Sequence, residues 1–272
     1  MRAYISADIE GVAGVVAPTQ CQAGHADHEK ARILMTREVN AVIEGLLEGG
    51  ATDIVVNDSH GPMINLLPDL LHPAADLILG KPKPMNMAAG LTADHDLFCM
   101  IGHHSRARGG GVLSHTTNGF AFHEVRINGL ACGEPAIYGA YAAELGVPVG
   151  LISGDDRTEA ENAPLFPGAR FAVVKHALGE RAARQLSVAR AHDLLRRQAA
   201  EAARGAGHLT VRRPEGPFRA EFVAVRAALA DQFAVLPPAV RVDPVTVAFD
   251  CATMAEVVGW MTALSAMSFA VR

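Results

Sequence analysis

The chain has 272 residues, half of them hydrophobic and 19% charged, with a formal net charge of −5. That length accommodates one large α/β domain or two small ones, and that composition excludes a disordered chain. The small negative charge gives no electrostatic footing for nucleic acid, which is not expected as a partner.

The first expected strand covers residues 2–8, and its run Ala3-Tyr4-Ile5-Ser6-Ala7-Asp8-Ile9-Glu10 ends in two acids before Gly11. Residues 28–48 form an amphipathic helix, with Ile33, Leu34, Val39, Val42, Ile43, Leu46 and Leu47 at helical spacing and Gly49-Gly50 as the stop. A strand at 53–57 completes a βαβ unit with short loops. Further strands are expected at 76–79, 97–102, 122–127, 147–152 and 169–174. Asn128-Gly129 marks a hairpin turn. Proline in the first turn places a helix from Glu134-Pro135 to Leu145. Residues 180–205 read as one Ala/Arg-rich helix, in which Arg181, Arg184, Arg190, Arg196 and Arg197 form a solvated face. Strands at 218–225 and 245–250 and a closing helix at 253–268 follow. The Arg204–Pro217 stretch separates an α/β core, 1–205, from a smaller α+β portion, 206–272, packed on it as one structural unit. The fold class is thus α/β, a mostly parallel central sheet with flanking helices plus that C-terminal portion.

Four cysteines, Cys21, Cys99, Cys132 and Cys251, form no C-x-x-C pair, and Cys99 falls in an expected buried strand. A reducing, cytoplasmic setting without disulfides is therefore expected. The N-terminus has no basic segment, and Asp8 and Glu10 interrupt any apolar run, so no signal peptide is expected. No uninterrupted apolar stretch approaches the roughly 20 residues that span a bilayer, and no membrane partner is expected.

In a parallel α/β sheet, the carboxyl ends of the strands share the edge where ligands bind. Three expected strands end in potential metal ligands there: Asp8 and Glu10 after the first, His60 after 53–57, and His103 and His104 after 97–102. Asp8 and Glu10 are two apart on a strand and face the same way, so they repel unless a cation neutralises them. Each signal has a plainer reading taken alone: solvated acids, a loop histidine, a core histidine on a carbonyl. Their coincidence on one edge favours a metal site, and carboxylate and imidazole donors without thiolate suit zinc, with manganese or cobalt as alternatives.

His115 follows the glycine run Gly109-Gly110-Gly111 and is open to three roles: imidazole ligand, proton-transfer group or surface-loop residue. Glu134 opens a helix, where a carboxylate also complements the dipole. In Gly154-Asp155-Asp156-Arg157, one aspartate caps the next helix and the other is free to support the site from behind, with Arg157. Lys175, after an apolar strand, is isolated and receives no role.

Taken in order, Ser6-Ala7-Asp8-Ile9-Glu10-Gly11, Val56-Asn57-Asp58-Ser59-His60, Gly102-His103-His104-Ser105-Arg106, Ser114-His115-Thr116, Gly133-Glu134 and Ser153-Gly154-Asp155-Asp156-Arg157 resemble the D-aminopeptidase family of zinc metallopeptidases, peptidase family M55. The resemblance spans residues 1–176. It implies two zinc ions per subunit on Asp8, Glu10, His60, His104 and Glu134, with His115 as the catalytic histidine. It also implies a homo-oligomer, a self-compartmentalising decameric ring. The implied activity is metal-dependent removal of the N-terminal residue of short peptides or amides, of the D-Ala type. An L-specific peptidase or another metal-dependent amidase on the same scaffold is the alternative, and a catalytically silent metal-binding oligomer is a third reading. Because successive residues at a strand end face opposite ways, His104 is expected at the metals, and His103 behind the sheet or at a subunit contact.

Overall fold

A computed structural model describes residues 1–271. The strands are β1 (Arg2–Ala7), β2 (Asp53–Asp58), β3 (Ala75–Ile78), β4 (Leu97–Ile101), β5 (Phe122–Ile127), β6 (Leu130–Ala131), β7 (Val149–Asp155), β8 (Arg170–Gly179), β9 (Ala182–Gln185), β10 (Phe218–Ala224), β11 (Val240–Asp243) and β12 (Thr246–Cys251). The helices are α1 (Ala26–Glu48), α2 (Glu134–Leu145), α3 (Asp156–Asn162), α4 (Val188–Gly205), α5 (Ala227–Phe233) and α6 (Met254–Met267).

A seven-stranded sheet runs in the order β3-β2-β1-β4-β7-β8-β9, parallel except for β9. A five-stranded antiparallel sheet, β11-β12-β10-β5-β6, packs beside it. The fold is the expected mixed α/β architecture. The second sheet joins β5 and β6 from the middle of the chain to β10, β11 and β12 from beyond residue 206, so both parts share one set of backbone ladders.

Alternation along β1 explains the layering. Ala3, Ile5 and Ala7 join the core formed with α1 and α4, while Tyr4 joins Phe98 and Met100 under α2, α6 and the second sheet. Both faces of the parallel sheet are covered, so its strands read as continuous apolar runs. After β1 the chain builds outward through β2 and β3, then returns to lay β4 on the other side of β1. The order reverses between β1 and β4, and such a switch point opens a crevice at the strands' carboxyl ends.

The Asn128-Gly129 turn forms as expected: φ is +50° and +81°, and Arg126 pairs with Ala131 and Ile127 with Leu130. One expectation needs correction. Residues 180–205 are not one helix, because β8 continues to Gly179 and β9 returns antiparallel to it, so α4 begins only at Val188. Arg181 and Arg184 therefore belong to a hairpin; satisfying the open edge of β8 outweighs the helix propensity of alanine and arginine. Met254–Val271, 18 residues of mean hydropathy 1.4, is long and apolar enough to cross a membrane by length and composition, although Glu256 interrupts its apolar run. Here that segment lays Met254, Val257, Val258, Met261 and Leu264 into the core. α5 and β11 have no counterpart among the expected elements.

Close approach of α1 to α4 depends on Gly45 and Gly49, one turn apart. A Cβ at Gly45 would lie 2.2 Å from the Arg196 carbonyl oxygen, and one at Gly49 2.3 Å from the Ala203 Cβ. We expect Gly45→Val to separate the helices and destabilise the protein by about 1–3 kcal/mol. Gly259→Ala on α6, where a Cβ meets nothing within 4 Å, should be neutral or stabilising by up to about 1 kcal/mol. Denaturant midpoints of the two variants check both.

Candidate metal centre

Asp8 directly follows β1, and its amide donates to the Ile101 carbonyl at 2.8 Å, which carries the ladder with β4 one step past the strand. Gly11 turns the chain back so tightly that a Cβ there would lie 2.0 Å from the His103 carbonyl oxygen. Beyond β2, Asp58 accepts from the amides of Asn65 and Leu66 and from the Asn65 side chain, which also donates to the His60 carbonyl. That knot fixes the loop bearing His60. Glu134 is the first residue of α2, and its Oε1 accepts the Thr117 amide at 2.6 Å.

These elements bring the expected residues together. His60 Nδ1 lies 3.2 Å from Asp8 Oδ1 and 2.9 Å from Glu10 Oε2. His104 Nε2 lies 3.5 Å from Asp8 Oδ2 and 3.3 Å from Glu134 Oε2. Asp8 thus turns one oxygen to each imidazole. The donor atoms of Asp8, Glu10 and His60 lie within 4.8 Å of one another, as do those of Asp8, His104 and Glu134. Glu10, His104 and His115 meet the same limit, and the His115 ring stacks on His104 with centroids 4.1 Å apart.

Backbone carbonyls orient all three imidazoles. His60 Nε2 is 2.7 Å from the Cys21 oxygen, His104 Nδ1 is 2.9 Å from the Ser105 oxygen, and His115 Nδ1 is 2.9 Å from the Leu113 oxygen. A carbonyl only accepts, so each of these nitrogens donates, and the other nitrogen faces the cluster, where a protonated ring donates to a carboxylate and a neutral one is free to bind a cation. This is the arrangement that prepares histidine to bind a metal.

Three buried carboxylates so close together need positive charge. Burial and the neighbouring Glu10 push Asp8 well above the usual carboxylate range. For Glu10, burial is outweighed by His60, and its carboxyl falls well below that range. Burial likewise opposes ionisation of Glu134, but His104 prevails and brings it to about 2. Burial lowers His104, yet Glu134 and then Asp8 and Glu10 raise it to about 10; His60 rises for the same kind of reason. Protons on these imidazoles balance the cluster when nothing else does. Glu10 Oε2, His104 Nε2 and Glu134 Oε2 are nevertheless buried without a hydrogen-bond partner. The donor set and these unpaired atoms fit a divalent cation, for which carboxylate and neutral imidazole are suitable ligands.

His103 departs from expectation. It is fully buried, so it is no surface contact, and its Nδ1 lies 4.0 Å from Glu134 Oε2 instead of behind the sheet. β4 ends at Ile101 and Gly102 has φ +70°, so strand alternation no longer governs residues 103 and 104. Burial depresses the His103 imidazole to about 4, and neither ring nitrogen makes a hydrogen bond of the kind that orients the other three.

The Gly154–Arg157 segment divides its roles differently from the sequence reading. Asp155 alone does both jobs: Oδ1 accepts the Thr158 amide as the N-cap of α3, and Oδ2 accepts the Val112 amide at 2.7 Å, anchoring the loop to His115. Asp156 accepts the Ala177 amide, and Arg157 is more than half exposed, its Nε 4.0 Å from Asp156 Oδ2. Sequence reasoning missed Thr117 and the Cys21, Ser105 and Leu113 carbonyls. Only the Gly109–Gly111 run hinted at any of them, since backbone groups carry no residue signature.

A parallel α/β sheet with buried carboxylates and imidazoles at its switch point fits a metal-dependent enzyme. Residues 1–263 match the family Peptidase_M55, D-aminopeptidase. The chain is 37% identical over 195 residues to the D-aminopeptidase of Bacillus subtilis (strain 168), covering 72% of this chain and 71% of that protein. Its fold superposes on the Zn-dependent D-aminopeptidase DppA from Bacillus subtilis, described as a self-compartmentalizing protease, with a TM-score of 0.95 and 30% identity over 99% of this chain and 98% of that one. The chain belongs to the M55 family of D-aminopeptidases and is a metallo-aminopeptidase.

Orientation of the rings separates the adjacent histidines. His104→Ala should lose metal and activity together, whereas His103→Asn should keep its metal. Zinc content of the purified variants, measured by atomic emission, checks this.

Proposed function

We propose that this chain is a di-zinc aminopeptidase that releases the N-terminal residue of short D-amino-acid peptides or amides. The observation that carries the reading is the Asp8 carboxylate, whose two oxygens face two separate donor sets. Asp8, Glu10 and His60 would hold one ion, and Asp8, His104 and Glu134 the other. Bound zinc supplies Lewis acidity toward a carbonyl and makes water more acidic. Zinc dependence and the D-aminopeptidase activity of the Bacillus subtilis relatives support the choice of metal and substrate.

His115 is the proton carrier in this scheme. Its Nδ1 is committed to the Leu113 carbonyl, which leaves Nε2 as acceptor, and burial lowers the imidazole below its ordinary value. Nε2 takes a proton from the attacking water as its oxygen bonds to the scissile carbonyl carbon. As the C–N bond breaks, that proton passes to the leaving amine. The self-compartmentalizing relative supports assembly as a homo-oligomer, with a decameric ring as our reading. Four free cysteines support a cytoplasmic setting.

Two measurements test the reading. Asp8→Asn should lower bound zinc at both sets and abolish hydrolysis; full zinc content and activity would defeat the shared-carboxylate scheme. His115→Ala should retain zinc while kcat falls about 10²-fold or more, and parallel loss of zinc would make it a ligand instead. Release from D-alanine amide compared with L-alanine amide by the unmodified enzyme decides stereochemistry, with preference for the D form expected.

A further inference from the structure

Lys175 is a buried cation with no part in the chemistry above. It sits on β8, with β4 and β7 between it and β1, and its side chain is 1% exposed. Its ammonium donates to the carbonyl oxygens of Glu10 at 2.5 Å, Val12 at 3.0 Å and Val15 at 2.7 Å. An ammonium has three donors, and these three carbonyls use all of them. Lys175 therefore has no donor left for substrate.

The three carbonyls belong to the turn that follows β1 and carries Glu10. Other side chains bind further polar backbone of that turn: Glu38 accepts the Ala13 amide at 2.8 Å, Gln20 donates to the Gly14 carbonyl at 2.7 Å, and Gln185 accepts the Gly14 amide. The Glu10 carbonyl is gripped by Lys175. Three carbonyls converging at one buried point repel one another, and a compact cation with three donors satisfies them together.

We propose that Lys175 is a positioning residue for the metal centre: by holding the Glu10 carbonyl and the turn beyond it, it sets the Glu10 carboxylate against Asp8 and His60. This rests on the two-metal reading, and it assigns the effect to one donor set. Without Lys175, the turn would rotate to hydrate its carbonyls and carry Glu10 away, while His104 and Glu134, held by other elements, would stay.

Zinc titration of the full-length protein against a chromophoric chelator tests this, with His60→Ala and His104→Ala as references for each donor set. The unmodified protein comes first: fewer than two ions per chain defeats the two-metal reading, and this proposal with it. Given two ions, Lys175→Met should weaken one of them about 10–100-fold, the usual effect of losing an outer-shell partner. The weakened ion should be the one lost in His60→Ala. Lys175→Arg keeps charge and donors on a longer, planar group and should fold readily, with the same selective loss in smaller degree. If every folded variant binds both ions as tightly as the unmodified protein, even at a lowered melting temperature, Lys175 is structural only and the proposal falls. Equal weakening of both ions also overturns it.

Discussion

Crowding of buried negative charge at one point organises this molecule. Asp8, Glu10 and Glu134 are each at most 4% exposed, and their oxygens surround the same two imidazoles. Carboxylates removed from water and placed side by side are strongly unfavourable until positive charge enters. Protonated His60 and His104 supply it in part; divalent cations would supply it fully and release the imidazoles to act as neutral ligands. Coupling of folding to metal binding follows, since a cation that binds only the folded chain stabilises it by mass action.

That constraint needs rigid surroundings, because a carboxylate free to turn would escape to solvent. The parallel sheet supplies the frame. Asp8 extends the β1–β4 ladder by one residue, Glu134 is fixed by its place at the start of α2 and by the Thr117 amide, and His60 is held by the Asp58–Asn65 knot. Carbonyl groups then fix the ring faces. The result is a site whose donor groups are anchored by hydrogen bonds to backbone atoms, consistent with the precision that ligation demands.

Asymmetry between the two sides of the sheet gives the site its setting. One face is closed by α1 and α4, whose contact at Gly45 and Gly49 leaves no gap. The other is closed by α2, α6 and the antiparallel sheet, where Phe222 meets Phe122 at a tilt and Phe249 edge to face. With both faces covered, the carboxyl edge at the switch point is where the strands deliver side chains to a crevice.

Much of this was legible in the amino-acid order. Apolar runs ending in Asp8, Glu10 and His60 announced parallel strands with candidate ligands at their ends, since strand period and burial are local properties that leave a local pattern. Asn128-Gly129 likewise specified its hairpin. Tertiary structure decided the rest. β9 formed where helix propensity favoured α4, because the open edge of β8 required a partner. His103 turned toward Glu134 because Gly102, at φ +70°, broke the alternation on which its placement had been reasoned. Lys175 looked isolated because the carbonyls it holds lie more than 150 residues away in sequence. Ligand type is written in side chains, and so the sequence determined the chemistry; ring orientation and charge balance depend on backbone atoms from distant segments, and only folding could decide them.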